Sequence, residues 1–201
     1  MKSVDGVLYS ADGKEILRYP RAKEAAEYAV ADGTEVMRDN AFKEVKLEKV
    51  TLPEGLTNIS NEAFHNSDKL TELIIPDSVT SIGDTAIRGL NAIKEIVVGD
   101  GVTSIANFGI CDCPSLETLV LGANLASIGQ YGLAWNEGIS ELTVPNQSVK
   151  ENYSWNADLN PEIVKVRKDA TSINQAFLDC SKTTAFEVID AYDETAEVNY
   201  K

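Results

Sequence analysis

The sequence has few of the residues on which most enzymes and metal proteins depend. Its 201 residues include one histidine, His65, and three cysteines, Cys111, Cys113 and Cys180. An odd number of cysteines does not point to a disulfide framework. The single imidazole is expected on an exposed turn and does not indicate a Ser-His-Asp triad or a Cys-His dyad. Cys111-x-Cys113 lacks further ligands for zinc. We therefore expect no enzymatic activity, no metal site and no cofactor, with Cys113 and Cys180 packed inside the fold.

Basic residues and long apolar runs are also scarce. The chain has 18 Lys+Arg against 32 Asp+Glu, a net charge of -14, so the phosphates of a nucleic acid would be repelled. No apolar run approaches the roughly 20 residues of a membrane-spanning helix, so no membrane insertion of this segment is expected. No long apolar run follows Met1-Lys2-Ser3, and the chain shown has no signal peptide pattern.

Repetition is what the sequence has in abundance. An L-x-x-L-x-L pattern returns at a constant interval, with copies that begin at Leu47, Leu70, Ile93, Leu116 and Ile139. This spacing predicts a strand whose inward side chains stack on those of the next copy, and the interval, which we call the repeat period, is typical of leucine-rich repeats. One such unit cannot bury its apolar edge alone, so the copies are expected to stack into a solenoid. Residues 50–52, 73–75, 96–98, 119–121 and 142–144 are predicted to form neighbouring parallel strands in one sheet.

Similar residues also recur at other positions of each repeat, and we call each such set of equivalent positions a column. A proline or glycine follows each strand, as at Pro76 and Gly99, and ends it. A second inward pair comes next, such as Val79 with Ile82, and then a small residue followed by a large apolar one. The predicted fold is a right-handed leucine-rich-repeat solenoid, mainly β, with a parallel sheet on one face and short turns or helical turns on the other.

The repeat pattern divides the chain into three parts. Residues 1–24 are predicted to form an N-terminal β-hairpin cap, because Asp12-Gly13 separates two β-favouring runs. Residues 25–189 are predicted to form the solenoid, with an irregular insertion at about 146–160 that carries Tyr153 and Trp155. Residues 190–201 are expected to be an acidic tail.

The segment from Pro20 to Glu27 has strong helical propensity and a proline suited to a helix start. A short helical turn that gives way to a strand at Tyr28 is expected there. The alternative is a continuous helix to about Ala31, which would destroy the first repeat.

Several segments resemble a known family. The run from Ile75 to Gly83, IPDSVTSIG, is similar to the hallmark of BspA-type (Treponema pallidum-like) leucine-rich repeats, and 176–180, AFLDC, matches their usual ending. The resemblance covers most of residues 4–189, although the usual phenylalanine is replaced by Ile87, Ile110 and Leu133. It implies a bacterial surface or secreted protein, located outside the cell or on its surface, with a role in adhesion.

Alternation along the strands predicts which side chains face outward. An aliphatic ridge is expected on the outer face of the sheet, beside an acidic edge that would steer a basic partner. The opposing interpretation is that β-branched residues suit any strand. The candidate partner-binding residues are Glu72, Ile74, Glu95, Val97, Thr118, Val120 and Glu141.

A second column of acids follows the strands, at Asp32, Glu54, Asp77 and Asp100. Stacked like charges repel one another, so a cation such as calcium is one hypothesis. The other is that each carboxylate caps backbone amides in the turn of its own repeat.

Two classes of function remain open from the sequence. The first is a non-enzymatic recognition or adhesion module that binds a protein or a glycan through the sheet face. The alternative is a structural spacer in a larger surface protein, with no ligand of its own.

Overall fold

The computed structural model describes residues 1–147, 149–151, 158–173, 175–178 and 180–190. Within these residues, short strands accompany a single four-residue helix, α1 (Gln175–Leu178). The strands in chain order are β1 (Lys2–Val4), β2 (Val7–Tyr9), β3 (Glu15–Arg18), β4 (Glu27–Ala29), β5 (Val36–Met37), β6 (Lys49–Thr51), β7 (Asn58–Ile59), β8 (Glu72–Ile75), β9 (Ser81–Ile82), β10 (Ile87–Arg88), β11 (Glu95–Val98), β12 (Ser104–Ile105), β13 (Ile110–Cys111), β14 (Thr118–Val120), β15 (Ser127–Ile128), β16 (Glu141–Thr143), β17 (Lys150–Glu151), β18 (Ile163–Arg167) and β19 (Ala185–Ile189).

The first sheet contains six parallel strands in the order β19-β18-β16-β14-β11-β8. Its register follows the repeat, because Ile74 pairs with Val97 and Val97 pairs with Val120. The inward residues Leu73, Ile96 and Leu119 are fully buried. The predicted solenoid and its parallel sheet are therefore confirmed.

The first sheet is interrupted at one junction where continuity was expected. β6 pairs in parallel with β4, and these two strands form a separate sheet from β8. The prediction that residues 50–52 and 73–75 neighbour each other in one sheet is wrong here. The backbone amide of Thr71 still donates to the carbonyl oxygen of Glu48 at 3.1 Å, so the repeats remain stacked where the strands begin. Beyond that bond the two strands are not paired.

A second sheet lies along another side of the solenoid, in the order β1-β2-β3-β5-β7-β9-β12-β15-β17. Its two-residue strands contain the second member of each inward pair, as Ile82 and Ile105 pair in register. Sequence reasoning placed inward residues at these positions but no strands. The turns that were expected opposite the first sheet follow these strands, where residues 61–66 and 131–135 form turns.

The N-terminal hairpin extends the second sheet. β2 and β3 pair antiparallel, and β3 then pairs in parallel with β5. Residues 20–26 form a turn rather than a helix, with the amide of Lys23 donating to the carbonyl oxygen of Pro20 at 3.0 Å. The alternative of a continuous helix to Ala31 is wrong, because the strand β4 occupies Glu27–Ala29.

The C-terminal repeats keep the predicted strands. β17 pairs with β15 one repeat period apart, so the second sheet continues into the segment where an irregular insertion was expected. Tyr153, Trp155 and residues 191–201 lie outside the described residues. β18 and β19 pair as the columns predict, with Val164 opposite Phe186. In β19, Phe186 and Val188 are 55% and 75% exposed.

Replacing an inward leucine tests this packing. Leu73→Asp is expected to lower the free energy of unfolding by about 3 kcal/mol or more, because it buries an unpaired charge in the stacked core. Leu119→Asp should behave alike, since both residues are fully buried. Ile74→Asp is the matched control on the same strand, because Ile74 is 48% exposed. Urea denaturation measures the differences, and equal losses for Leu73→Asp and Ile74→Asp would contradict the inward assignment.

Candidate functional site

The structure brings the predicted partner-binding residues together on the outer face of the first sheet. Glu72, Glu95, Thr118 and Glu141 form one row across neighbouring strands, and Ile74, Val97 and Val120 form the next row. Parallel pairing with a constant register produces this arrangement, because it places equivalent residues about 4.8 Å apart. The row positions are those that the sequence predicts.

The exposure of the aliphatic row differs from the prediction. Ile74 is 48% exposed, but Val97 is 3% and Val120 is 2% exposed. Of the three aliphatic residues that were expected to be exposed, only Ile74 is exposed. Strand alternation determines the side to which a residue points, but it does not determine whether that side is covered. Val97 and Val120 lie on strands with a paired strand on both sides, whereas β8, which carries Ile74, is an edge strand of the sheet.

Arg167 covers part of the same face. It lies two residues beyond the outward-facing Lys165 on β18. Its Nη1 donates to the carbonyl oxygen of Val144 at 2.9 Å, and its Nη2 is 3.5 Å from Oδ1 of Asp100, in the turn after β11. The side chain is 3% exposed. Burial lowers the pKa of the Arg167 guanidinium, and the carboxylate of Asp100 opposes that shift.

Lysines neutralise much of the acidic edge. The Nζ atom of Lys49 is 2.5 Å from Oε1 of Glu72, and that of Lys165 is 2.5 Å from Oε2 of Glu141. The hydrogen bond with Glu72 raises the pKa of Lys49. Glu95 also has an interaction partner. Glu72 and Glu141 are therefore in ion pairs, and steering of a basic partner by this acidic edge stays a prediction.

A groove lies at the unpaired junction between β6 and β8. It encloses about 300 Å³ and has ionic, hydroxyl and apolar walls. Ile74 lies beside it and supplies exposed aliphatic surface. Sequence reasoning missed this groove, because both flanking repeats have the regular pattern and nothing in the columns marks the break. The groove is lined by Lys49, Val50, Thr51, Leu52, Glu54, Glu72, Ile74 and Pro76.

Two acids of the column in the turns, Asp77 and Asp100, cap backbone amides. Oδ1 of Asp77 accepts a hydrogen bond from the amide of Asp100 at 2.6 Å, and Oδ1 of Asp100 accepts one from the amide of Ala123 at 2.7 Å. Each carboxylate therefore caps the next repeat, where capping of its own repeat was expected. Among the described residues, no three His, Cys, Asp or Glu side chains are grouped to hold a metal ion.

The cysteines and the histidine occupy structural positions. Burial raises the pKa of Cys111 and of Cys113 to about 12, so both thiols are protonated at neutral pH. Cys113 is fully buried as expected, whereas Cys180 is only partly buried. His65 is half-buried rather than exposed, with Nδ1 at 3.2 Å from Oε2 of Glu62. Hydrogen bonds from Lys43 and then His65 lower the pKa of Glu62.

Comparison with known proteins identifies the repeat. The sequence profile of the BspA type leucine rich repeat region matches residues 35–156 in six copies, which is more than half of the chain. The chain belongs to the BspA-type leucine-rich repeat family. Leucine-rich repeats of this kind are generally non-enzymatic scaffolds. Among curated proteins, none matches the chain significantly.

Solved structures of other bacterial proteins show the same fold. A leucine-rich repeat protein from Eubacterium ventriosum has 21% identity and a TM-score of 0.71, over 96% of this chain and 51% of that one. The pneumococcal vaccine antigen PcpA has 20% identity and a TM-score of 0.51, over 95% and 47%. The leucine-rich repeat protein of T. pallidum has 22% identity and a TM-score of 0.54, over 92% and 79%. This chain spans about half the length of the first two proteins.

The burial of Val97 in this BspA-type solenoid leads to a stability test. Val97→Lys is expected to lower the free energy of unfolding by about 2–4 kcal/mol, because the ammonium would have to enter a covered site. Ile74→Lys should change it by less than about 0.5 kcal/mol, because Ile74 is 48% exposed. Urea denaturation compares the two variants. If both are as stable as the parent protein, the centre of the sheet face is open to solvent.

The cysteines give a chemical test of burial. Iodoacetamide at pH 8 is expected to label Cys180 in the native protein and to leave Cys111 and Cys113 unlabelled, because only a thiolate reacts and the two buried thiols have a pKa of about 12. Mass spectrometry of the digested protein measures the labelling, and denatured protein, in which all three should react, is the control. Rapid native labelling of Cys113 would contradict the packing of this turn.

Proposed function

We propose that this chain is a recognition module of a bacterial surface or secreted protein, and that it binds a protein partner through the groove between β6 and β8. The proposal rests on a difference in exposure along one row of the sheet. Ile74 is 48% exposed beside an open groove, whereas Val97 and Val120 are buried. Exposed apolar surface next to a concavity is typical of a partner site.

The groove favours a partner with an apolar side chain flanked by polar groups. Ile74 and Pro76 offer apolar walls, and Lys49, Glu54 and Glu72 supply charge at its margin. Lys49 and Glu72 already pair with each other, so they contribute specificity more than net attraction. The chain as a whole has a net charge of -14, which favours approach by a basic protein.

Cell-surface location belongs to the same proposal. A neighbour with the same fold is a pneumococcal vaccine antigen, which supports contact with the outside of the cell. None of the helices that the structure describes is long and apolar enough to cross a membrane.

A spacer role is the second candidate function. The burial of the residues at the centre of the sheet face favours it. Val97, Val120 and Thr143 present almost no surface to a partner. A spacer would have no ligand on this face, so the two candidates differ in whether any partner depends on Ile74.

The groove is tested with one substitution. Host matrix proteins and proteins from neighbouring bacterial surfaces are screened in purified form against the chain by biolayer interferometry. For a partner found in this way, Ile74→Lys is expected to weaken binding at least tenfold, because it places a charge where apolar surface is buried. The melting temperature should stay unchanged, since Ile74 is exposed.

The matched control is Leu8→Lys, which changes another exposed aliphatic residue, on β2. It should bind like the parent chain. Undiminished binding by Ile74→Lys would remove the groove as the site. The absence of any partner in the screen would favour the spacer.

A further inference from the structure

Three aromatic side chains meet in the turns that follow the second sheet. Phe108 belongs to one repeat, and Tyr131 and Trp135 belong to the next; we call them the aromatic cluster. The ring centroids lie 5.4 Å apart for Phe108 and Tyr131, 5.1 Å for Tyr131 and Trp135, and 6.1 Å for Phe108 and Trp135. The planes are inclined by only 17–27° to one another. All three side chains are partly exposed, and none belongs to the buried hydrophobic core.

The backbone at these positions does not favour aromatic residues. Phe108, Tyr131 and Trp135 have φ values of 55°, 55° and 59°, in the left-handed region. Glycine and asparagine adopt this region most readily, and bulky residues do so at a cost. The equivalent position to Trp135 is Gly89 two repeats earlier. Packing of the core does not account for three rings placed at this cost, because they lie outside it.

A cation fixes one side of the cluster. The guanidinium carbon of Arg88 lies 5.6 Å from the centroid of the Phe108 ring, within the range of a cation–π contact. Nε of Arg88 is also 3.6 Å from the carboxylate of Asp112. These contacts hold Phe108 in place before any ligand arrives, which lowers the entropy cost of binding.

Polar side chains border the cluster. Oδ1 of Asp84 accepts from the amide of Asn107 at 3.0 Å, and Oδ1 of Asn107 accepts from the amide of Gln130 at 2.9 Å. Asp84, Asn107 and Gln130 are exposed. Asn107 and Gln130 directly precede two of the cluster's rings in the sequence. Their side-chain amides can both donate and accept hydrogen bonds.

We propose that the aromatic cluster is a binding site for a neutral, β-linked glycan. The flat face of a β-linked pyranose carries axial C–H groups with partial positive charge, which are attracted to the negative face of an aromatic ring. The equatorial hydroxyls at its edge match the amides and the carboxylate that border the cluster. The rings stack on one another and Arg88 lies over Phe108, so a sugar would contact only the parts of the rings that remain exposed. The net charge of -14 disfavours an anionic polysaccharide.

A protein partner fits these turns less well. The core of a protein interface combines aromatic residues with aliphatic area. Among the described residues, the large exposed aliphatic side chains, Met1 included, lie at the N-terminal hairpin, at the groove and on the last strand, and none lies in the turns around the cluster. The rings are instead surrounded by carboxylate, amide and guanidinium groups. The glycan site is thus separate from the groove around Ile74 and does not depend on it.

Binding is tested with three soluble sugars: chitohexaose, cellohexaose and, as the α-linked comparator, maltohexaose. Isothermal titration calorimetry measures the affinity of the whole chain. At least one β-linked hexamer is expected to bind, and maltohexaose at least tenfold more weakly. The absence of binding by both β-linked hexamers at millimolar concentration would overturn the proposal, as would equal binding of all three sugars.

The key variant is Trp135→Gly. Glycine accepts the left-handed backbone, so the melting temperature should be unchanged or higher, while affinity for the β-linked hexamer falls at least tenfold. A structural role for Trp135 would instead lower the melting temperature. Trp135→Phe, which restores a ring, should recover most of the binding, and Phe186→Ala, at an exposed aromatic residue on β19, should bind normally.

Two results separate this site from the groove. Ile74→Lys should leave sugar binding unchanged even if it abolishes binding of a protein partner. If Trp135→Gly weakens a protein partner while neither β-linked sugar binds, the cluster is a protein-binding surface and the glycan proposal is wrong.

Discussion

The hydrogen bonds between successive repeats are the constraint on which the rest of the structure depends. A backbone amide of one repeat donates to the carbonyl of the equivalent region in its neighbour, as Lys94 does to Thr71 and Glu117 does to Lys94. Because the repeat period is constant, equivalent side chains must then stack on one another. Leu73, Ile96 and Leu119 form a dry column for this reason. Close approach also requires small residues at the corners, since a Cβ atom on Gly122 would lie 2.3 Å from the carbonyl oxygen of Gly99.

The same stacking produces columns of functional groups on the surface. The Asp77 carboxylate caps the amide of Asp100, and the Asp100 carboxylate caps that of Ala123, so acids that would repel one another are each bound to an N–H group. Lysines pair with glutamates across neighbouring strands at the sheet edge. In the turns, stacking brings Phe108 beneath the ring of the next repeat. In a solenoid, side chains at the same position of successive repeats therefore form a row along the surface.

Sequence columns predicted most of the strands of the first sheet, their register and the inward residues, because these follow from a period and from alternation. The pairing of Ile74 with Val97 and of Tyr28 with Val50 could be obtained in this way. Exposure could not, since the burial of Val97 depends on what covers the face, and strand alternation carries no information about that. The lack of pairing between β6 and β8 could not be predicted either, because both repeats have the regular sequence pattern. The aromatic cluster left a signal in the spacing of Phe108 and Tyr131, which equals the repeat period, but its meaning depends on the left-handed backbone that the structure shows.

Nuclear Overhauser contacts between backbone protons test the stacking most directly. The structure predicts contacts that link Ile96 to Leu119 and to Leu73, each one repeat period away, and similar contacts along every strand of the first sheet. It also predicts that these contacts are lost between the ends of β6 and β8, where the sheet is interrupted. Contacts that connect Ile96 with residues at another spacing, or a helical pattern within residues 95–98, would contradict the solenoid.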